Sequence, residues 1–321
     1  GAACPRQTAV FGQMQDMISE STSPSQKIIS VYGGDVLYPN GPSNLSKSER
    51  ARTLVGMQVC QTIAQQTPFY LVTGNHEYGD EHAASDPYAL AEIAKNDLGM
   101  RIPGRYYSEK FENNQMVVHI LALDTSTVAI DATQQKWATA QALQHQENKN
   151  NESRDSKKHW LVVFTHHPPF SYGEHGLQGE NHYLLPLLQT VYEQADLLVC
   201  GHEHDAQYLQ AKPRVKNASA SKNKSMQHPT ANPDSIDLDD HQLPPTLIVG
   251  TSCESRTVKS GPYSAFHSLQ PAFGRIVITG DTITSEIVGA PSADRTDRTL
   301  LFAETIRDAS RSRQTENTTP V

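Results

Sequence analysis

Four short β-rich runs in this chain each break off onto a turn carrying metal-binding residue types, and that recurrence constrains the fold more than any other feature. The four endings are Gly34-Asp35-Val36-Leu37-Tyr38, Gly74-Asn75-His76-Glu77, Thr165-His166-His167-Pro168 and Gly201-His202-Glu203-His204. Open α/β sheets gather their ligand sites beyond the carboxyl ends of the strands, so such endings converge if the runs share a layered scaffold. A carboxylate, an amide and several imidazoles form a mixed oxygen and nitrogen donor set, which suits Zn, Fe or Mn and suits Ca poorly. Taken singly, each piece has an ordinary reading: Gly-Asp and Gly-Asn-His are common turn chemistry, and a lone strand-end histidine is more often structural. Their shared position at the ends of successive runs favours one metal centre.

Hydrophobic periodicity supports the layered scaffold. Strands are predicted at Lys27–Tyr32, Phe69–Thr73, Gln115–Leu123, Trp160–Thr165 and Asp196–Cys200. Helices are predicted between them at Arg6–Glu20, Glu49–Gln65, Pro87–Asn96, Thr133–Gln146 and Tyr183–Gln194, the first carrying Val10, Met14, Met17 and Ile18 on one face. After Gln207 the pattern turns to strands alone, at Thr246–Gly250, Arg275–Thr279 and Thr282–Val288, which predicts a second, partly antiparallel sheet. Residues 211–245 are rich in Lys, Asn, Ser, Asp and Pro and read as a low-complexity insertion. The expected organisation is therefore one domain over 1–290 containing that insertion, then a tail over 291–321. Within the tail, Thr299–Ile306 is predicted as a short helix and Ser310–Val321 as a frayed end.

The 321 residues include 27 basic and 35 acidic side chains, a formal charge of −8. That balance gives no reason to expect a nucleic-acid partner, which rewards basic stripes. No apolar run approaches the roughly 18 residues of a membrane span. Cys4, Cys60, Cys200 and Cys253 lack the close pairing of a zinc knuckle or redox motif. Glycosylation sequons at Asn44, Asn151, Asn217, Asn223 and Asn317 point to a secreted glycoprotein, or to a vesicular or lysosomal one.

The motifs, in their order, resemble those of the calcineurin-like metallophosphoesterases. Tyr38, three residues after Asp35, together with His175 in Gly173-Glu174-His175-Gly176 and the string from Cys200 to Leu209, is similar to the small tartrate-resistant purple acid phosphatases; the likeness runs from about Cys4 to Leu209. This resemblance implies a two-sheet αββα sandwich with flanking helices and a pair of metal ions bridged by Asp35. One metal would also take Tyr38 and His204, and the other Asn75, His166 and His202. The family's pair is Fe(III) plus Fe(II), Zn or Mn. Of the adjacent histidines, His166 matches the ligand position and His167 the variable one. His76 and His175 resemble the histidines that contact phosphate and assist the leaving group. The implied reaction is hydrolysis of phosphate monoesters by hydroxide generated at the metals, on a small phosphate ester or a phosphoprotein. A phosphodiesterase of the same fold, or a catalytically impaired relative acting as a binding protein, is the alternative. The family's opening strand, with the aspartate that ends it, has no counterpart in a chain that starts Gly1-Ala2-Ala3-Cys4-Pro5. The expectation is a trimmed chain or an incomplete gene model, in which the first metal keeps Asp35, Tyr38 and His204, with ferric binding weakened most.

Overall fold

Near-continuous apolar sequence, as in Met116–Leu123 and Lys158–Thr165, marks strands covered on both faces, and these two lie side by side in parallel in the interior of the larger sheet. The structure, a computed structural model, describes residues 5–21, 23, 26–36, 38, 58–78, 99–152, 156–212, 241–250, 255–290 and 298–307. Its strands are β1 Ser30–Tyr32, β2 Phe69–Leu71, β3 Tyr107–Glu112, β4 Met116–Leu123, β5 Lys158–Thr165, β6 Leu197–Cys200, β7 Ala206–Leu209, β8 Thr246–Val249, β9 Ser264–Ser268, β10 Ala272–Ile278, β11 Thr282–Gly289 and β12 Thr299–Arg307. Its helices are α1 Pro5–Glu20, α2 Gln58–Gln66, α3 Ala132–Asn150, α4 Glu174–Leu177, α5 Leu184–Leu187 and α6 Gln189–Gln194.

Seven strands form one mixed sheet in the order β3-β4-β5-β6-β8-β7-β9. One face carries Leu121, Leu161 and Val163 into a core closed by Ala138 and Ala142 of α3 and by Val191 and Tyr192 of α6. The opposite face, with Val118, Ile120, Val162 and Phe164, packs on Tyr70 and Val72 and on Ile283 of the antiparallel sheet β10-β11-β12. Beyond the parallel pair β1-β2 lie α1 and α2, which bury Phe11 and Ile63 against Phe69 and Leu71. Helix, sheet, sheet and helix thus stack in the expected αββα order. Helix α3 starts where Asp131 accepts the N–H groups of Thr133 and Gln134, a cap worth about 1 kcal/mol.

Three predictions are corrected. Thr246–Gly250, expected in the second sheet, supplies β8 of the seven-stranded sheet, between β6 and β7. Thr299–Ile306 is no helix: it lies within β12, paired antiparallel with β11, and Phe302 packs on Phe266 and Tyr208 with centroids 5.2 and 5.1 Å apart. Cross-strand pairing and burial of that aromatic ring outweigh the helical tendency of Leu300, Leu301 and Ala303. The helix predicted over Tyr183–Gln194 is split into α5 and α6 at Leu188, whose backbone, at φ −116° and ψ 18°, leaves the helical range. Strands β3, β7 and β9 were not predicted. Residues 49–57 of one predicted helix, and all of Pro87–Asn96, lie outside the described residues, as do 213–240 of the insertion. The base of that insertion is closed by Lys212 and Leu243, whose N–H groups donate to each other's carbonyls at 3.0 and 2.9 Å.

Candidate metal centre

Strand register sets the level at which each motif leaves its sheet. Tyr32 lies beside Leu71, Leu123 beside Thr165, and Thr165 beside Cys200. The residues that follow therefore emerge together at one carboxyl edge, where Gly201 N–H donates to the His166 carbonyl at 3.1 Å. The turn after β1 crosses to the other sheet: Gly33 O lies 2.7 Å from His166 Nδ1. Gly34 there has φ +99°, and a Cβ on it would stand 2.5 Å from that same Nδ1. Asp35 and His202 also adopt left-handed backbone, with φ 60° and 66°. Such conformations cost about 1 kcal/mol or more each for non-glycine residues and collect at functional sites.

The side chains meet around His166 Nε2. It lies 3.1 Å from Asp35 Oδ2, 3.1 Å from Asn75 Oδ1 and 3.3 Å from His202 Nδ1. Because Gly33 O can only accept, Nδ1 of His166 carries a proton, and a neutral ring then points the Nε2 lone pair at three other electron-rich atoms. Such a cluster calls for positive charge at its centre. Burial alone would lower the His166 pKa, yet the adjacent Asp35 carboxylate turns the balance and raises it. Burial likewise pushes Asp35 upward, but His166 and His76 overcome it and hold the carboxyl well below the usual range. His202, half-buried, is pushed well below the ordinary histidine value by desolvation and by the neighbouring imidazoles, which leaves it neutral, the form that binds metals. The donor set and its geometry fit divalent or trivalent cations.

The other expected residues surround this cluster. Tyr38 donates its hydroxyl to Asp35 Oδ2 at 3.1 Å, and burial, reinforced by Asp35, raises its phenol pKa. His76 donates its backbone N–H to Asp35 Oδ1 at 3.0 Å and sets its ring 4.0 Å from that of Tyr38. The His175 ring lies 4.4 Å from that of His202. His204 is half-buried two residues along the same loop, with its carbonyl accepting from Arg256 N–H at 2.9 Å. Among the described residues, ligand atoms of His166, His167 and His202 lie within 4.8 Å of one another, as do those of His175, Glu180 and His202. His167 is itself held by Thr125, whose Oγ1 is 2.8 Å from its Nδ1.

Sequence reasoning missed four residues that organise the centre. Glu77, fully buried, accepts the N–H groups of Asp35, Val36 and Gly74 at 2.8, 2.6 and 2.7 Å. Glu203, also fully buried, accepts from Ser171 Oγ, His175 N and Gly176 N at 2.5, 3.3 and 2.8 Å. Their presence inside the motifs was the available signal. Glu180, 2.8 Å from His175 Nδ1, and Arg256, whose Nη1 is 2.6 Å from His175 Nε2, lie outside any such motif.

Comparison with known proteins agrees with this architecture. Purple acid phosphatase 3 of Arabidopsis thaliana is 28% identical over 190 residues, covering 55% of this chain and 48% of that protein. Tartrate-resistant acid phosphatase type 5 of Oryctolagus cuniculus is 26% identical over 188 residues, covering 55% of each. The chain thus spans about half the length of these curated relatives. Among solved structures, the purple acid phosphatase PPD1 from yellow lupin (Lupinus luteus) seeds superposes with a TM-score of 0.57 at 14% identity, over 96% of this chain and 50% of that one. GAP50, described as the anchor in the inner membrane complex of Plasmodium, superposes with a TM-score of 0.53 at 16% identity, over 95% of this chain and 86% of that one. At those identities the likeness establishes the fold. The sequence pattern of the calcineurin-like phosphoesterases matches residues 10–206, more than half the chain, and the chain belongs to that family.

Proposed function

We propose that this chain is a metal-dependent phosphatase that hydrolyses phosphate monoesters with a pair of cations. The observation that carries the reading is the convergence of Asp35, Asn75 and His202 on His166 Nε2 at 3.1, 3.1 and 3.3 Å. Asn75, His166 and His202 would hold a divalent ion, Fe(II), Zn or Mn. Tyr38 and His204 would hold Fe(III), and Asp35 would be shared. Bound there, the ions would neutralise phosphate oxygens and lower the pKa of water, letting an anion attack an anion.

The protein's own groups do the positioning. Glu77 and Glu203 fix the backbone from which the donors project, so little reorganisation is needed as charge develops. Burial and neighbouring imidazoles keep His202 in its ligating form. His175 has both nitrogens engaged, Nδ1 on Glu180 and Nε2 on Arg256. In that arrangement Nε2 is an acceptor, and the proton for the leaving oxygen is assigned to His76, whose ring lies 4.0 Å from that of Tyr38. The substrate class is a small phosphate ester or a phosphoprotein. A secreted or vesicular location goes with the five sequons; Asn151 sits at the end of α3, and Asn44, Asn217, Asn223 and Asn317 lie outside the described residues. Among the described residues no helix is long and apolar enough to cross a membrane.

A second reading is a binding protein of the same fold, favoured by the superposition on GAP50, which covers most of both chains and whose description is that of an anchor. Metal analysis with turnover of an aryl phosphate and of a bis-aryl diester separates the readings. The phosphatase reading expects about two metals per chain and a faster monoester. A faster diester would favour the phosphodiesterase, and absence of turnover in the metal-loaded protein would favour the binding protein.

A further inference from the structure

Arg256 lies beyond the matched family segment of residues 10–206, yet its segment is fastened to the centre by its backbone. Arg256 N–H donates to the His204 carbonyl at 2.9 Å, Val258 bridges Gly173, and Lys259 N–H donates to the Tyr172 carbonyl at 2.9 Å. These contacts bind it to the loop of His204 on one side and to the residues leading into His175 on the other. The side chain then reaches His175 Nε2 with Nη1 at 2.6 Å, and the His175 ring is itself 4.4 Å from that of His202. The guanidinium therefore stands one imidazole away from the ligand cluster.

Among the described residues its charge is only weakly compensated. The carboxylate of Glu174 lies 3.9 Å from Arg256 Nε, and both side chains are more than one-third exposed, at 47% and 37%. Exposed pairs at that distance contribute little. Of five guanidinium N–H groups, one is spent on His175, and the planar fork matches two oxygens of a phosphate. We infer that Arg256 is a substrate-positioning residue, which grips the free oxygens of the phosphate and thereby favours dianionic monoesters over monoanionic diesters. The inference rests on the phosphatase reading for its substrate, and on the contacts above for its place.

The test uses the metal-loaded chain with Arg256→Ala and Arg256→Lys, measuring inorganic phosphate affinity by calorimetry and KM and kcat for an aryl phosphate and a bis-aryl diester. Losing a charge-assisted contact should raise the phosphate Kd and the monoester KM about tenfold or more in Arg256→Ala. The lysine variant should recover part of that loss, with diester KM and metal content close to wild type. Unchanged phosphate Kd and monoester KM in Arg256→Ala would overturn the inference, as would equal losses on both esters. Should the wild-type protein hydrolyse no ester, the phosphatase reading fails, and calorimetry alone decides the role of Arg256. Phosphate binding that weakens in Arg256→Ala would then sustain an anion-gripping arginine. Equal binding by both proteins, or none by wild type, would overturn it.

Discussion

The carboxylate of Glu77 takes the backbone N–H of Asp35 at 2.8 Å on one oxygen, while Val36 donates to the other at 2.6 Å. With Gly74 N–H also donating to it, one buried side chain clamps the turns that follow β1 and β2. Glu77→Gln turns an NH₂ group toward backbone donors and leaves at least one of them unpaired. The expected loss is about 2–4 kcal/mol of folding stability, with lowered metal content. Urea denaturation and metal analysis read both.

Gly34→Ala should act on the same centre by crowding. The new methyl stands 2.5 Å from His166 Nδ1 and 2.9 Å from Gly74 N, on a backbone with φ +99°. A destabilisation of about 1–3 kcal/mol is expected, with weakened metal retention. Gly12→Ala is the contrasting case, because nothing lies within 4 Å of its Cβ position in the middle of α1. That change should stabilise by about 0.5–1 kcal/mol. Thermal melts of the two variants should shift in opposite directions.

If His202 and His204 serve different cations, replacing either with alanine should reduce bound metal toward one equivalent. Asp35→Asn should lower it further if both cations share that carboxylate, as proposed. Tyr38→Phe should erase any visible absorption band of the iron-loaded protein while leaving the fold intact. Mass spectrometry of bound metal and an absorption spectrum check the set.

Stability should also fall in acid for a reason remote from the centre. His119, His145 and His159 cluster between β4, β5 and α3, with ring centroids 5.9 and 6.2 Å apart. Burial first, then the two other imidazoles and Lys110, push His119 down to about 4 from 6.5, with Glu112 opposing. Asp196 lies 3.5 Å from His145 Nε2 and is paired with Lys149 at 2.6 Å. Between pH 6.5 and 4 the unfolded His119 binds a proton that the folded one refuses, so unfolding free energy declines as pH drops through that window. One proton sets a ceiling of about 1.4 kcal/mol per pH unit, reduced here by solvent around a partly buried ring. His119→Gln should flatten that part of a stability profile measured by denaturant titration.

The centre was more legible in the sequence than its support. Asp35, Asn75, His166 and His202 stand at strand ends, where chemistry and position carry the same message. The roles of Glu77 and Glu203 could not be read, because a carboxylate accepting backbone N–H groups has no spacing signature. Arg256 is remote in sequence from every motif and reaches His175 only through the docking of residues 255–259 on the loops. Strand β12 was misread because Leu300, Leu301 and Ala303 favour a helix in isolation, and only the neighbouring β11 makes the extended form better.

The clasp between Lys212 and Leu243 offers a practical handle. With both carbonyls engaged and Lys212 Nζ donating to the His241 carbonyl at 3.2 Å, the chain is already returned to its partner strand before the intervening stretch is counted. Loop-closure entropy grows by only about 0.6 kcal/mol for each doubling of length. An affinity tag or a small reporter spliced between these two residues should therefore leave β7 and β8 in register.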